Sequence, residues 1–513
     1  MHNGEIDIQS LPVKANTMKQ LPNNPSLYEI NTRVWLRQFD AGKHHATLAD
    51  IPDAYWADLQ AKGMHIIWLM GVWKINAAAL HENDLSDDLK KGYDQALPDW
   101  TEQDVIGSPY AVDEYIVAED LGGAKGLAAL RKQLAKFNLR LMLDFVPNHF
   151  SRASRLLVTN PDVFVQSGKQ GERTDEYNAG LFFTDEKTRK EFAHGRDPFF
   201  APWWDTVQVN YAATAARKYM SDVLHSIASQ CDGVRCDMAM LVMNNIFKQT
   251  WQSQIKMDMP ATEFWVDAIS DVKKGHADFI FMAEAYWDKE WDLQQQGFDY
   301  TYDKRLTDRL EDGDVPAVQG HLHANMDFQM RSVRFLENHD EPRAIASFGR
   351  NPSLAAAVLI SSLPGLRFYY DGQFEGKAVR LPVQLGREYH EETDTEIKDF
   401  YDKLLNIVND SIMQTGKWSL LTPTASWEGN NSFQNILAWQ WRDKEKSKLI
   451  VINFSQQTCQ CRLFLLVQSS NKEIVFIDQL ADMQYSRYVN EVKENGLYVE
   501  LKPYQSHIFL YQE

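Results

Sequence analysis

The chain has 513 residues, of which 44% are hydrophobic, so it can bury a barrel-sized core together with an accessory domain. Its net charge of -18 argues against nucleic acid or anionic lipid as the main partner, because both would repel an acidic protein. The 24% of charged residues is typical of a folded chain and excludes a disordered one.

The N-terminal segment and the cysteines favour a cytoplasmic protein. The chain does not start with a basic region followed by an apolar stretch, and no apolar run reaches the roughly 18 residues of a membrane helix. Cys231, Cys236, Cys459 and Cys461 are not spaced for bridges or metal ligation, which favours free thiols. We therefore expect a cytoplasmic location and no membrane partner.

Short apolar strands alternate with amphipathic helices over most of the chain, which predicts a parallel α/β architecture. The acidic residues at successive strand ends fit a (β/α)8 TIM barrel, whose active site follows the strands. We expect this catalytic barrel at residues 1–149 and 212–412. The predicted strands are 34–36, 65–69, 140–143, 233–235, 279–282, 332–336 and 366–369, with helices such as 126–137 and 212–229 between them.

Two other segments have a different composition. Residues 150–211 are rich in glycine, aspartate and aromatic residues and separate the third and fourth barrel strands by more than one barrel unit, which predicts an inserted subdomain B after strand 3. Beyond about Thr415 the pattern changes to short alternating strands. Residues 413–513 are therefore expected to form a C-terminal all-β sandwich.

The first two candidate motifs follow the third and fourth predicted barrel strands. Asp144 ends an apolar strand before Pro147, and this proline directs His149 into a loop. Arg235 and Asp237 are two positions apart on a strand and project to one side, so Arg235 favours the ionised form that a nucleophile requires. A strand-capping aspartate and a structural ion pair are the alternatives.

The other two motifs follow later strands. Glu284 ends an apolar strand and precedes Tyr286 and Trp287; apolar surroundings raise the pKa of a carboxyl, as a general acid needs. A glutamate paired with a barrel arginine is the alternative. The sequence from Asn338 to Asp340 is the most specific of the four motifs, because Asn-His-Asp at a strand end has few structural explanations.

These four segments, in this order, resemble the sequence regions of glycoside hydrolase family 13, the α-amylase superfamily, over nearly the whole chain. The resemblance implies that Asp237 is the nucleophile, Glu284 the acid/base and Asp340 the residue that holds the 2- and 3-hydroxyls of the sugar. It also implies substrate-binding roles for six residues: Arg235, His149, His339, Tyr110, Asp144 and Asn210. For Asp144 and Asn210, a structural role is the alternative.

Three positions depart from the family pattern. Met240 and Leu241 stand where α-amylases commonly have Lys-His, and Ala111 follows Tyr110 where starch enzymes often have tryptophan. Asn148 matches a calcium ligand, but it is isolated from other ligand positions. We therefore expect no cofactor and no metal site, with calcium doubtful.

The resemblance implies a retaining α-glycosidase that hydrolyses α-glucosidic bonds in short oligosaccharides through a covalent glycosyl-enzyme. A small carbohydrate is the expected partner. One alternative is an α-glucan transglycosylase or isomerase, similar to trehalose synthase, on the same fold. Another is a non-catalytic glucan-binding relative, which the presence of all three carboxylates disfavours. The particular sugar and the oligomeric state stay open.

Overall fold

A computed structural model describes residues 19–76, 85–167, 180–444, 446–467 and 471–512. Residues 1–18 lie outside the described residues, as do residues 168–179 of the predicted insertion. The prediction that no secretory signal is present applies to residues 1–18.

Eight parallel strands close into a barrel, which confirms the predicted fold class. The barrel closes because the first strand pairs with both the second and the last: Leu27 lies opposite Ile66 on one side and Phe368 on the other. In chain order the strands are β1 (Ser26–Asn31), β2 (Ile66–Met70), β3 (Arg140–Phe145), β4 (Gly233–Cys236), β5 (Ile280–Ala283), β6 (Tyr300–Tyr302), β7 (Ser332–Arg334) and β8 (Leu366–Tyr370).

Two details of the barrel differ from the sequence prediction. The prediction of a strand at residues 34–36 was wrong: these residues belong to the helix Thr32–Trp35 and the 3₁₀ helix Leu36–Phe39, and the first strand is β1. A short apolar run has no periodicity that separates a buried strand from a buried helix. Strand β6, which is three residues long, was not among the predicted strands.

Helices surround the barrel and connect its strands. The α-helices are Thr32–Trp35, Asp53–Ala61, Asp87–Ala96, Gly123–Lys136, Leu156–Thr159, Thr214–Gln230, Asn244–Trp251, Phe264–Gly275, Glu290–Gln295, Lys304–Glu311, Val315–Leu322, Met326–Met330, Ala344–Ser347, Arg350–Ser362, Thr395–Val408, Ser411–Thr415 and Val489–Asn495. Short 3₁₀ helices lie at Leu36–Phe39, Glu102–Asp104, Glu119–Leu121, Pro161–Val163, Ala239–Val242 and Ser432–Asn435. In the part of the chain that is described, no helix is both long and apolar enough to cross a membrane.

The insertion between β3 and β4 contains small pairs of antiparallel strands. The strand His149–Ser151 pairs with Thr206–Gln208, and Phe182–Thr184 pairs with Glu191–Ala193. The first pairing holds the two ends of the insertion together, directly above the end of β3. We propose residues 150–211 as subdomain B, although its first strand begins one residue earlier, at His149.

The C-terminal region consists of two antiparallel sheets. Its strands are β9 (Lys417–Leu421), β10 (Ile436–Arg442), β11 (Lys446–Asn453), β12 (Cys459–Leu463), β13 (Glu473–Asp478), β14 (Met483–Tyr488), β15 (Leu497–Leu501) and β16 (Ser506–Gln512). Six of them form one sheet in the order β9, β10, β11, β16, β13, β14, and β12 pairs with β15. Apolar side chains from both sheets share one core, which includes Leu449, Cys461 and Phe509.

The larger sheet also packs against the barrel. The indole nitrogens of Trp439 and Trp441 donate to the backbone oxygen of Ser362, at 3.1 and 2.7 Å. Ser362 ends the helix Arg350–Ser362, which comes directly before β8. Lys448, whose side chain is fully buried, pairs with Asp410 at 2.6 Å. The proposed boundary between residues 412 and 413 lies in the short helix Ser411–Thr415 that joins the two domains.

Candidate active site

The carboxyl ends of β4 and β5 bring two acidic side chains onto one arginine. Asp237 directly follows β4, and Glu284 directly follows β5. The guanidinium of Arg235 contacts both of them: Nη1 lies 2.6 Å from Asp237 Oδ1, and Nη2 lies 2.9 Å from Glu284 Oε1. All three side chains are nearly excluded from water. This arrangement fixes two carboxyl groups side by side at one end of the barrel, as predicted from their strand positions.

Glu284 also accepts two hydrogen bonds from its surroundings. The backbone amide of Met238 donates to Oε2 at 2.6 Å, and the Tyr286 hydroxyl donates to Oε1 at 3.1 Å. Met238 adopts a left-handed backbone with φ of 42°, a strained conformation for a side chain of this size. The strained residue, Met238, directly follows Asp237, and its backbone amide is the one that donates to Glu284.

Burial raises the pKa of Glu284 to about 7, and the neighbouring negative charges of Asp237 and Asp340 contribute to this rise. Arg235 and the Met238 amide act in the opposite direction. A carboxyl with this pKa exists in both protonation states near neutral pH, so it can donate a proton in one step and accept one in the next.

Asp340 approaches the same site from the loop after β7. Its Oδ2 lies 2.9 Å from Nε2 of His339, and its side chain is 43% exposed, so the carboxylate faces the open cleft. Loss of water around Asp340 works against its ionisation, but the charge and hydrogen bond of His339 outweigh this effect and lower the pKa of Asp340 to about 2. Asp340 is therefore ionised throughout the physiological range.

His339 is itself held by a residue that the sequence analysis did not identify. Its Nδ1 lies 2.5 Å from Oε1 of Glu29 on β1, and both side chains are fully buried. Burial opposes the charged imidazolium, but Asp340 and Glu29 together raise the pKa of His339 well above its usual range. Glu29 is the one charged residue of β1 and lies between Tyr28 and Ile30, and this was the available signal in the sequence.

Tyr110 and His149 complete the walls of the site. The Tyr110 ring stacks on His339 with 5.2 Å between centroids, and its hydroxyl lies 2.8 Å from Nε2 of that residue. The Arg235 guanidinium lies 5.3 Å from the centre of the Tyr110 ring. His149 is buried on the first strand of the insertion, where its ring packs against Trp203, and burial lowers the pKa of its imidazole. The structure therefore brings these two predicted residues to the site.

Asp144 lies at the site but its oxygens are occupied by protein donors. Oδ1 accepts from the Trp68 indole at 3.0 Å, and Oδ2 accepts from the Gly71 amide at 2.8 Å. Its backbone oxygen accepts from the Trp73 indole at 2.7 Å. Burial raises the pKa of Asp144 to about 6, partly against the charge of Arg235. These contacts support a role in bracing the β2 and β3 strand ends.

Asn210 makes its contacts at the far end of the insertion. Its backbone amide donates to the Val163 oxygen at 2.8 Å, and its side-chain oxygen accepts from the Ala212 amide at 3.2 Å. Its backbone oxygen accepts from the Ala213 amide, directly before the helix Thr214–Gln230. These contacts form a turn that leads into the helix and favour the structural alternative for Asn210.

The oxygens of Asn148 do not fit a calcium ion. Its backbone oxygen and its side-chain Oδ1 both accept from Nε2 of Gln208, each at 2.9 Å. A calcium ligand must offer its oxygen lone pairs to the cation, together with several other oxygens. Here the amide group of Gln208 occupies the space in front of both oxygens. Among the described residues, moreover, no three His, Cys, Asp or Glu side chains are grouped to hold a metal.

The positions that depart from the family pattern are buried in the core. Met240 and Leu241 lie in the 3₁₀ helix Ala239–Val242 and are 0% and 2% exposed. Ala111 is 8% exposed. These three side chains carry no hydrogen-bond donor, so they cannot supply the polar contacts to the leaving sugar that lysine and histidine would give at the first two positions.

Exposed aromatic rings near Glu284 are candidates for contact with the leaving sugar. Phe199 and Phe200 of the insertion are 64% and 73% exposed, and Oδ1 of buried Asp197 accepts from both of their amides. Phe199 meets Trp287 edge to face, with 4.9 Å between centroids. Trp287 lies three residues after Glu284, with a left-handed backbone of φ 60°. A rigid, exposed aromatic group of this kind at a cleft indicates a binding surface.

Comparison with known proteins agrees with this fold. Residues 63–462 match the family described as "Alpha amylase, catalytic domain". The chain is 23% identical to the alpha-amylase MalA of Haloarcula japonica over 67% of this chain and 47% of that protein. It is 28% identical to the alpha-1,4-glucan:maltose-1-phosphate maltosyltransferase of Picrophilus torridus over 42% of this chain and 36% of that protein. The chain thus spans about half or less of the length of these relatives.

The fold is also that of solved amylase structures. The structure of the noncanonic maltogenic alpha-amylase AmyB from Thermotoga neapolitana superposes with a TM-score of 0.67 at 18% identity, covering 96% of this chain and 99% of that one. Barrel, insertion and C-terminal sheet domain therefore recur together, and the family match covers most of the chain. The chain belongs to the α-amylase family.

Proposed function

We propose that this protein is a retaining α-glycosidase that hydrolyses α-glucosidic bonds in short oligosaccharides. The observation that carries the proposal is the contact of one guanidinium, that of Arg235, with both Asp237 and Glu284. Retaining glycosidases need two carboxyl groups about 5–5.5 Å apart, and a single arginine bridge is compatible with this separation. Inverting enzymes need a wider gap that admits a water molecule.

The proposed reaction has two steps. Protonated Glu284 gives its proton to the glycosidic oxygen as the bond to the leaving sugar breaks, and Asp237 forms a bond to the anomeric carbon. Glu284, now ionised, takes a proton from water while the water oxygen attacks the same carbon and releases Asp237. The two inversions give net retention, and the pKa of about 7 for Glu284 suits both of its roles.

The other site residues act on the sugar in this proposal. Asp340 holds the 2- and 3-hydroxyls through bonds that strengthen as the ring flattens, which favours the transition state over the substrate. His149 binds a hydroxyl of the same sugar, His339 holds Asp340 beside that sugar, and Tyr110 supports its apolar face. Asp144 and Asn210 contribute by bracing the walls of the site.

A product screen tests the proposal. The wild-type protein is incubated with maltose, maltooligosaccharides, trehalose, sucrose and sugar phosphates, and the first anomer released is followed by proton NMR. We expect cleavage of at least one short α-glucoside with the α-anomer appearing first. A β-anomer first, or no cleavage of any α-glucoside in the screen, would refute the proposal.

A transglycosylase or isomerase on the same fold is the second candidate. The exposed rings of Phe199 and Phe200 favour it, because a second sugar bound there, beside Trp287, could replace water in the second step. The screen separates the two candidates when it is repeated with added glucose or maltose as acceptor. Transfer products that exceed free sugar at low acceptor concentration would favour the transglycosylase.

A further inference from the structure

A buried chain of charges runs from the first barrel strand to the open cleft. Glu29 Oε1 lies 2.5 Å from His339 Nδ1, and His339 Nε2 lies 2.9 Å from Asp340 Oδ2. Glu29 and His339 are fully buried, whereas the Asp340 side chain is 43% exposed. The row of three charged side chains thus connects Glu29, which cannot touch substrate, with Asp340, which faces the cleft.

The geometry determines the protonation of the imidazole. A neutral imidazole carries a proton on only one nitrogen, so it can donate to only one of two carboxylates. Nδ1 faces the Glu29 carboxylate, whereas Nε2 lies close to both the Asp340 carboxylate and the Tyr110 hydroxyl, which is 2.8 Å away. A neutral ring would turn a lone pair towards one of the two carboxylates, so this arrangement favours the imidazolium. The second oxygen of Glu29 finds no hydrogen-bond partner among the residues that the structure describes. His339 is thus the described group that compensates the buried charge of Glu29.

We propose that Glu29 is a positioning residue that keeps His339 doubly protonated and thereby holds Asp340 in the orientation that binds the sugar. The inference rests on the proposed function, since it acts through the role of Asp340. If the charge of Glu29 is removed, the imidazole can lose a proton. If the remaining proton stays on Nδ1, the Nε2 lone pair faces the carboxylate of Asp340; if it stays on Nε2, the contact is kept but the positive charge is lost. In both tautomers the attraction that fixes the Asp340 side chain is weaker.

Other ionisable groups surround the pair and remain in place when Glu29 is changed. Those that act on Glu29 or His339 come from several parts of the barrel: Tyr110 in the connection between β2 and β3, Asp144 on β3, Tyr302 on β6, Glu337 after β7 and Tyr370 on β8. The hydroxyls are neutral in the working range because burial raises their pKa. Glu29 is therefore the carboxylate that stabilises the imidazolium from the side away from the cleft, and a substitution at Glu29 removes this charge alone.

The test compares Glu29→Gln with the wild type across pH. The amide oxygen of glutamine can still accept from Nδ1, so the geometry is kept and only the charge is lost. We expect the ratio of kcat/KM between variant and wild type to fall about tenfold or more from about pH 5 to about pH 8, as His339 loses its proton. The ratio cancels the pH dependence of Glu284, which both proteins share.

Glu337→Gln is the matched control. Glu337 is another buried carboxylate in the same region, but it pairs with Arg343 at 2.8 Å and with the Ala344 amide. Its ratio should stay flat across pH, because Arg343 compensates the charge of Glu337 and no hydrogen bond joins Glu337 to His339 among the described contacts. A flat ratio for Glu29→Gln as well would overturn the proposal.

A spectroscopic measurement tests the pair without substrate. A proton shared by Glu29 and His339 in so short a hydrogen bond should give a far-downfield NMR resonance at neutral pH. We expect it in the wild type and not in His339→Asn or Glu29→Gln; its absence from the wild type would overturn the proposal even if Glu29→Gln does not fold. If the wild type cleaves no α-glucoside, the proposed function fails, whereas this resonance still tests the pair.

Discussion

The hydroxyl of Tyr286 should set the upper end of the active pH range. It donates to Glu284 Oε1 at 3.1 Å, and Glu284, with a pKa of about 7, must be protonated in the first step of the proposed mechanism. A hydrogen bond to a charged acceptor contributes about 1.5–3 kcal/mol and one to a neutral acceptor about 0.5–1.5 kcal/mol, so this bond favours ionised Glu284 by about 1 kcal/mol. Its removal in Tyr286→Phe should raise the pKa of Glu284 by about 0.7.

The role of Glu284 as the acid determines the direction in which the pH profile moves. Activity is lost as pH rises through the pKa of the acid, so a higher pKa moves the basic limb of kcat/KM to higher pH. The assay is the pH profile for a maltooligosaccharide, with Tyr219→Phe as control, since the Tyr219 ring packs against Phe150 in the insertion. A basic limb that stays in place, or moves to lower pH, would refute the reasoning.

Three further predictions concern the carboxylates, the metal and the aromatic rim. Asp237→Asn and Glu284→Gln should abolish turnover while the thermal unfolding midpoint shows a folded protein; activity in either variant would contradict the assigned roles. Chelators should leave wild-type activity unchanged, and Gln208→Met should lower the free energy of unfolding by about 1–3 kcal/mol, because it removes the donor to the buried side-chain oxygen of Asn148. Loss on chelation and recovery with calcium would show that a cation binds. Phe199→Ala should lower kcat/KM for maltotriose about fivefold, as one aromatic contact contributes about 1 kcal/mol, but not that for α-glucosyl fluoride. An equal loss on both substrates would place Phe199 outside the leaving-group side.

The residues predicted from the sequence are those whose signal is local. Asp237 and Glu284 directly follow apolar strands, and parallel strands in a barrel bring their carboxyl ends together. Strand position and residue type were therefore sufficient to place both. The same reasoning placed Asp340, although β7 ends earlier than predicted and a longer loop carries the residue into the site.

The residues that were missed depend on partners far away in the sequence. Glu29 acts through His339, 310 positions later, and no spacing along the chain indicates such a contact. Gln208 shows the same limit, since its amide reaches back 60 positions to Asn148. The wrong strand at residues 34–36 had a different cause: a short run of buried apolar residues satisfies a helix as well as a strand.

The two indoles at the domain contact have a consequence for cooperativity. Trp439 and Trp441 donate to Ser362 at the end of the helix that leads into β8, and β8 is the strand whose pairing with β1 closes the barrel. Removing the C-terminal sheets would remove both indoles and uncover the helix surface against which they pack, next to the strand that closes the barrel. We therefore expect truncation before β9 to destabilise the barrel itself as well as to delete the C-terminal domain.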